Sequence, residues 1–323
     1  MPMDGTNTDT VWQVDSYMKT KVGKVSVRTS ASLIGPVYAR FFSSGVLREL
    51  AHKGHSAVAA RLTREYHLVD QFGPTISVSE FYNAIFNRLI REYRHEYVYK
   101  NAIAEKILLG RHNLNTAFML TEFRADDCKA DVVVLNGTSH VYEIKSEMDS
   151  FDRLDRQLAA YGKVFDYITL ITTERLYKTV DQRVPKEVGI MVLADGGYQF
   201  RKKPCREAFS NRSHVDPVVI FNSLQRQEYL QIIKETLGVS LAHLPNTQIY
   251  GEAKGYFEKL TPEAAHDAMV KALKHRRDTR RVADLVTDVP NSLKAASLSI
   301  RLTRKDRIRF LNLLHQDIAS AFA

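Results

Sequence analysis

The stretch ADVVVLNGTSHVYEIK, residues 130–145, places two apolar runs of strand length on either side of Asn136-Gly137. Both residues of that pair tolerate the positive φ of a tight turn, so the stretch reads as a β-hairpin. Its register decides what the hairpin can do. A two-residue loop pairs Leu135 with Thr138, sets Asp131 opposite Tyr142 and turns Asp131 and Glu143 to opposite faces. A three-residue loop of Asn136, Gly137 and Thr138 pairs Leu135 with Ser139 and brings Asp131 opposite Glu143, with Gly137 in the left-handed position. The longer loop, or an equivalent bulge, is the expected one. Glu143 and Lys145 then leave one face of their strand while Tyr142 and Ile144 enter the core from the other. A Glu and a Lys beside Val141, Tyr142 and Ile144 are costly to bury without a task; a surface ion pair is the plain alternative.

Outward from the hairpin, Phe118 to Phe123 reads as a preceding strand and Tyr97 to Leu109 as a helix ending near Gly110. Downstream, Phe151, Leu154, Leu158, Tyr161 and Phe165 form the apolar stripe of a helix over residues 150–165. Tyr167 to Thr172 and Val188 to Leu193 are apolar runs of strand length, and Gly196-Gly197 turns the second into a further strand, Tyr198 to Arg201. Helix, three strands, helix and strand in that order predict an α/β core with a mixed sheet. Helical spacing also fills Leu47 to Arg94, with Ser77 or Ser79 as a cap, and most of the chain after Pro217. The chain thus divides into three regions: a helical one over 1–95, the α/β core over 96–216, and a basic helical one over 217–323.

The chain has 323 residues, 44% hydrophobic and 26% charged, as in ordinary globular proteins. Only the polar start, MPMDGTNTDT, reads as loose. No apolar run approaches the length needed to cross a bilayer, so no membrane association and a cytoplasmic location are expected. Cys128 and Cys205 are too few for a disulfide framework or a cysteine-rich zinc site and read as reduced thiols. The net charge of +9 favours a polyanionic partner. Much of it lies late in the chain, at Lys271, Lys274, Arg276, Arg277, Arg280 and Arg281, then Lys294, Arg301, Arg304, Lys305, Arg307 and Arg309, diluted by Asp278, Asp284, Asp288 and Asp306. Such a run is either a solvated helical face or a surface that tracks phosphates.

Ala130-Asp131, eleven intervening residues and Glu143-Ile144-Lys145 resemble the signature of the PD-(D/E)XK nucleases. Gln157 and Tyr161, at i and i+4 on the following helix, are similar to the Q-x-x-x-Y motif of their RecB-like branch. The wider stretch, with YRHEYVYKNAIAEKILLG upstream, resembles a family of uncharacterised bacterial proteins named after a locus tag and classed with these nucleases, over about residues 45 to 200. The resemblance implies a restriction-endonuclease-like core and a metal-dependent nuclease acting on nucleic acid, DNA first. It implies Mg²⁺, with Mn²⁺ able to substitute, held by Asp131, Glu143 and the backbone carbonyl of Ile144. Lys145 would position the attacking water, Gln157 would orient Lys145 or a phosphate, and Tyr161 would pack behind the helix or touch the substrate backbone. Many such nucleases add a glutamate from the helix before the first strand, which here implies Glu105, with Glu122 its competitor. Lys129 and Arg124 are candidates for phosphate contacts, whereas Asp126, Asp127, Asp149 and Asp152 sit in polar turns or helix starts and read as solvated.

The main rival is a catalytically silent nucleic-acid-binding or scaffold module on the same fold. A small-molecule enzyme finds no Gly-rich phosphate loop, H-x-x-x-H pair or nucleophile elbow, and His112, His140 and His214 lack ligand spacing. A homo-oligomer or a partner protein is left open, and ATP-driven movement would need a partner chain.

Overall fold

A computed structural model describes residues 27–112, 114, 116–274 and 279–323. The polar N-terminal stretch and, in the basic run, Arg276 and Arg277 lie outside these residues, as do the side chains of Arg280 and Arg281. Among the described residues, β1 (Phe118–Ala125), β2 (Cys128–Leu135), β3 (Ser139–Lys145), β4 (Tyr167–Thr173) and β5 (Gly189–Leu193) form one sheet in chain order. The first three run antiparallel to one another, and β4 and β5 run parallel to β3. Parallel neighbours need crossovers; the helices Leu154–Gly162 and Tyr177–Arg183 supply them. The fold is mixed α/β.

The turn between β2 and β3 is the three-residue loop. Gly137 takes φ 75°, the Asn136 N–H donates to the Thr138 carbonyl at 3.0 Å, and Leu135 pairs with Ser139. Buried Ser139 also meets the buried His266 at 2.8 Å, which ties the start of β3 to the helix Pro262–Lys274. Tyr198 to Arg201, expected as a strand, makes only the single bridge Leu193 to Phe200, with a second at Ile190 to Arg206. Pro204, between them, has no N–H to give to a ladder.

Alternation along the strands separates two cores. Val132, Val134, Tyr142, Ile144 and Ile171 pack with helices from the N-terminal region and with residues 285–322. Val133, Val141, Leu170 and Ile190 pack with the helix Leu154–Gly162 and with helices between Pro217 and Lys274. The first core therefore draws on residues from both sides of the boundaries expected at 95 and 216, and the second on residues from both sides of 216. Ser77 caps the helix Val78–Glu92, with Glu80 closing a capping box. The helix Glu96–Ala102 runs on as a π-helix, Ile103–Leu109. C-terminal residues hold it in place: Tyr97 donates to the Ser292 carbonyl, and Asn101 donates to the Asn291 carbonyl and accepts from the Ala295 N–H, at 2.8, 2.8 and 2.9 Å.

Part of the basic run is engaged within the fold, while Arg301, Arg304 and Lys305 are exposed. Arg307 pairs with Asp284 and Asp288, Arg309 with Asp306, and Lys271 with Glu235, while Lys294 donates to the carbonyls of Val286 and Val289. Asp284, Asp288 and Asp306, which dilute the run in sequence, pair with two of its arginines in space. No helix among the described residues is long and apolar enough to cross a membrane. Cys128 and Cys205 are both free and partly buried.

Candidate active site

Glu143 and Lys145 leave the same face of β3, toward the helix Leu154–Gly162, whose Gln157 and Tyr161 stand one turn apart on the side that meets them. Tyr161 donates its hydroxyl to Glu143 Oε2 at 2.7 Å, and Gln157 donates its amide to Glu143 Oε1 at 2.5 Å. The amide oxygen of Gln157 accepts from Lys145 Nζ at 3.0 Å, and the Lys145 ammonium lies 3.4 Å from Glu143 Oε1. Glu143 and Lys145 are only 2% and 4% exposed, so these bonds are what makes an ion pair tolerable at such depth. Burial still raises the Glu143 carboxyl above its ordinary range, against the pull of Tyr161, Lys145 and Gln157. The Tyr161 phenol is pushed far up, by burial first and then by the Glu143 charge, and stays protonated as the donor.

Asp131 arrives by a break in the β1 to β2 ladder. Pairing passes from Thr121 with Val132 to Phe123 with Ala130 and steps over Glu122 and Asp131. Glu122 absorbs the step with a left-handed φ of 57°, a conformation that costs an ordinary side chain about 1 kcal/mol. The faces change there: Phe118 and Leu120 before it, and Phe123 and Ala125 after it, all enter the same core. Released from the ladder, Asp131 accepts the Ile144 N–H on its Oδ2 at 2.8 Å. Ile144, expected to offer its carbonyl, thus also gives its N–H to the site.

Around this step the carboxylates of Glu96, Glu122 and Asp131 converge, one oxygen from each lying within 4.8 Å of the others. Glu96 stands in the first turn of the helix Glu96–Ala102. Lys100, one turn on, has its ammonium 2.5 Å from Glu96 Oε1 and also bonds Glu122, while Lys129 lies 3.3 Å from Glu122 Oε2. Burial would raise the Glu122 carboxyl, but the two lysines outweigh it and hold it below the usual range. Asp131 behaves oppositely. Burial, then the charges of Glu143 and Glu96, drive its carboxyl well above normal despite the Ile144 N–H and Lys100. These are three hard oxygen donors, and Asp131 among them holds its charge at a cost, the chemistry a small divalent cation accepts.

The three carboxylates line a cleft of about 490 Å³ together with Gln157 and four cations, Arg124, Lys129, Arg153 and Arg156. Of the expected site residues, Glu143, Lys145, Gln157 and Tyr161 are bonded together with Asp131 beside them, and Asp131 and Gln157 line the cleft. Glu105 does not join them. It lies nine residues after Glu96, about two and a half helical turns, and so on the far side of the helix. There it is bonded to Lys106 at 2.5 Å and faces Tyr198. Sequence reasoning misses Glu96 and Lys100, for which the i,i+4 pairing at a helix start is the available signal. Asp126 and Asp127 sit in exposed pairs with Lys163 and Arg156, Asp149 closes the turn at Ser146, and Asp152 is exposed.

The family described as bacteriophage P4 protein cII matches residues 90–297, a span that holds every residue of this site. Protein cII of Enterobacteria phage P4 is 32% identical over 75 residues, 23% of this chain and 28% of that protein, so the chain spans little more than a quarter of that relative's length. Among solved structures, the SPO1766 protein of unknown function from Silicibacter pomeroyi aligns at 20% identity over 40% of this chain and 87% of its own, with a TM-score of 0.26, a likeness too slight to argue from.

Proposed function

This chain belongs to the bacteriophage P4 protein cII family, and we propose that it is a metal-dependent nuclease with a PD-(D/E)XK-type site on a restriction-endonuclease-like core. One observation carries the reading: Glu143, Lys145, Gln157 and Tyr161 form one hydrogen-bonded set, and Asp131, fixed by the Ile144 N–H, stands between it and the carboxylates of Glu96 and Glu122. The helix, three strands, helix and strand that bear them follow the order such a core requires.

The donor set fits Mg²⁺ or Mn²⁺, which Asp131, Glu96 and Glu122 would hold with Glu143 behind them. When bound, the cation supplies the charge that activates water and offsets the charge gathering on the phosphate oxygens. The chain's own residues do the rest. Asp131 stays fixed by the Ile144 N–H, Gln157 keeps Glu143 and Lys145 in mutual register, and Tyr161 closes the second oxygen of Glu143. The Lys145 ammonium orients the attacking water and faces the phosphate as its charge rises. Water attacks phosphorus and one P–O bond breaks, leaving a phosphate on one end and a hydroxyl on the other. Arg124, Lys129, Arg153 and Arg156 draw the phosphodiester into the cleft by charge, without regard to sequence.

A second reading has support of its own. Both Glu143 oxygens already accept bonds from inside the protein, and Lys100 already bridges Glu96 and Glu122, as suits a nucleic-acid-binding protein that does not cut. Incubating the protein with labelled circular and linear DNA and RNA, in Mg²⁺, Mn²⁺ or chelator, separates the two. Products that need the metal support the nuclease; retention of intact substrate in every condition supports the silent binder.

A further inference from the structure

The carboxylate cleft opens into a second one of about 720 Å³, and Glu96, Glu122 and Lys129 line both. The far part of this second cleft is built by the N-terminal helices. Arg40 and Arg48 reach it from the helices Val27–Phe41 and Ser44–Lys53, and both are exposed. Arg48 is braced by its own helix, donating to the Ser44 carbonyl at 2.9 Å and the Ser44 hydroxyl at 3.1 Å. The half-buried rings of Tyr93 and His95 also line it, stacked on each other with centroids 6.2 Å apart and planes 15° from parallel. Neither ring is loose. A Cβ on Gly35 would come within 2.5 Å of Tyr93, so the tyrosine lies pressed on the helix Val27–Phe41, and His95 Nδ1 accepts the Tyr97 N–H at 3.3 Å.

From this juxtaposition we infer that the second cleft seats a single nucleic-acid strand beside the site, with unpaired bases on the Tyr93 and His95 rings and phosphates on Arg40 and Arg48. Fixed aromatic faces next to cations are how proteins hold unpaired strands regardless of sequence, because every base has a π-face. A duplex keeps its bases paired inside and offers the rings nothing to stack on. The cleft also has the volume of a small-ligand pocket, room for a nucleotide or two and not for a double helix. The inference deepens the nuclease reading and rests on it only for the cleavage step: the substrate would be a single strand or the frayed end of a duplex.

Binding in chelator, where nothing is cut, is the test. Fluorescence anisotropy with labelled oligo-dT of roughly 12 nucleotides, oligo-rU of equal length and a matched duplex is read on the parent, Tyr93→Leu and Arg40→Ala. A single strand should bind at least about tenfold more tightly than the duplex, and Tyr93→Leu should weaken it about tenfold, the scale of one lost base stack. Arg40→Ala should lower the salt slope by about one. The dT and rU arms decide whether DNA or RNA is the preferred strand. Duplex bound as tightly as single strand overturns the inference, and so do folded variants that both bind the single strand like the parent. Cleavage is scored separately in Mn²⁺. A parent that binds single strands and cuts nothing keeps this seat and loses the nuclease, whereas one that cuts but prefers duplex loses the seat alone.

Discussion

Lys145 meets Glu143 through Gln157 as well as directly, so removing its charge leaves the carboxylate its amide and phenol partners. Lys145→Met keeps the buried stem. It should bind Mn²⁺ within a few-fold of the parent while cleavage falls by roughly two or more orders of magnitude, the scale for losing a preorganised charge. Asp131→Asn should lose metal affinity and cleavage together, because it removes a charged oxygen donor. Calorimetric metal titration with a matched cleavage assay reads both, and full activity in either folded variant would sink its assigned role. His140 gives a test by pH. It bonds Thr169 at 2.7 Å and stacks on Tyr142, and burial pushes its pKa down from 6.5 to about 4. The unfolded chain takes up that proton first as pH falls. The stability His140 contributes is therefore full above pH 6.5 and is lost on acidification toward 4, by about 1.4 kcal/mol per pH unit. The raised Asp131 carboxyl acts in the opposite sense, since its folded form prefers the proton and gains stability as pH falls. Only the comparison isolates His140: relative to the parent, His140→Gln should gain thermal stability steadily from pH 7 to pH 5, and parallel curves would refute the assignment.

The hairpin is the most legible element. Asn136-Gly137 and the need to bring Asp131 across from Glu143 specify its register from sequence, because a one-residue slip turns every side chain over. Gln157 and Tyr161 are legible for a related reason: helical spacing places them on one side together. The step at Glu122 is not. Nothing in the local pattern of Phe118 to Ala125 announces a left-handed residue, and only the changed parity of buried positions reveals it. Glu96 is hidden because the carboxylates it meets, Glu122 and Asp131, are distant in sequence, while Glu105 is what the family resemblance implies and the helical turn carries it to the far side. Glu122→Asn tests the step itself. Asparagine takes left-handed φ more readily than glutamate, so the variant should match or exceed the parent in thermal stability while binding Mn²⁺ about tenfold more weakly. A variant that instead unfolds early would show that the ion pairs with Lys100 and Lys129 outweigh backbone strain there.

Over the whole molecule, part of the C-terminal basic run, read as a solvated face or a phosphate-tracking surface, makes contacts within the fold, at Arg307, Arg309, Lys271 and Lys294, while Arg301, Arg304 and Lys305 are exposed. Ending the chain before Pro217 would strip part of the cover from both faces of the sheet, since residues 217–274 pack on one beside the helix Leu154–Gly162 and residues 285–322 on the other beside the N-terminal helices. That truncation should abolish cooperative thermal unfolding; a truncated protein that melts sharply and binds Mn²⁺ like the parent would restore the idea of a separable binding region. Nucleic-acid affinity of the intact protein should fall steeply with salt, as counterion release requires. The bonds between Asn101 and residues 291–295 carry one more consequence. They join positions 190 and 194 apart in sequence, and they hold the helix that presents Glu96. A ribosome adds ~5–20 residues per second, so that helix waits on the order of 10–40 s after its own synthesis for its permanent neighbour. For that interval the nascent chain holds β1 to β3 but not a settled Glu96, and the acidic cluster becomes complete only after residues 291–295 have been made.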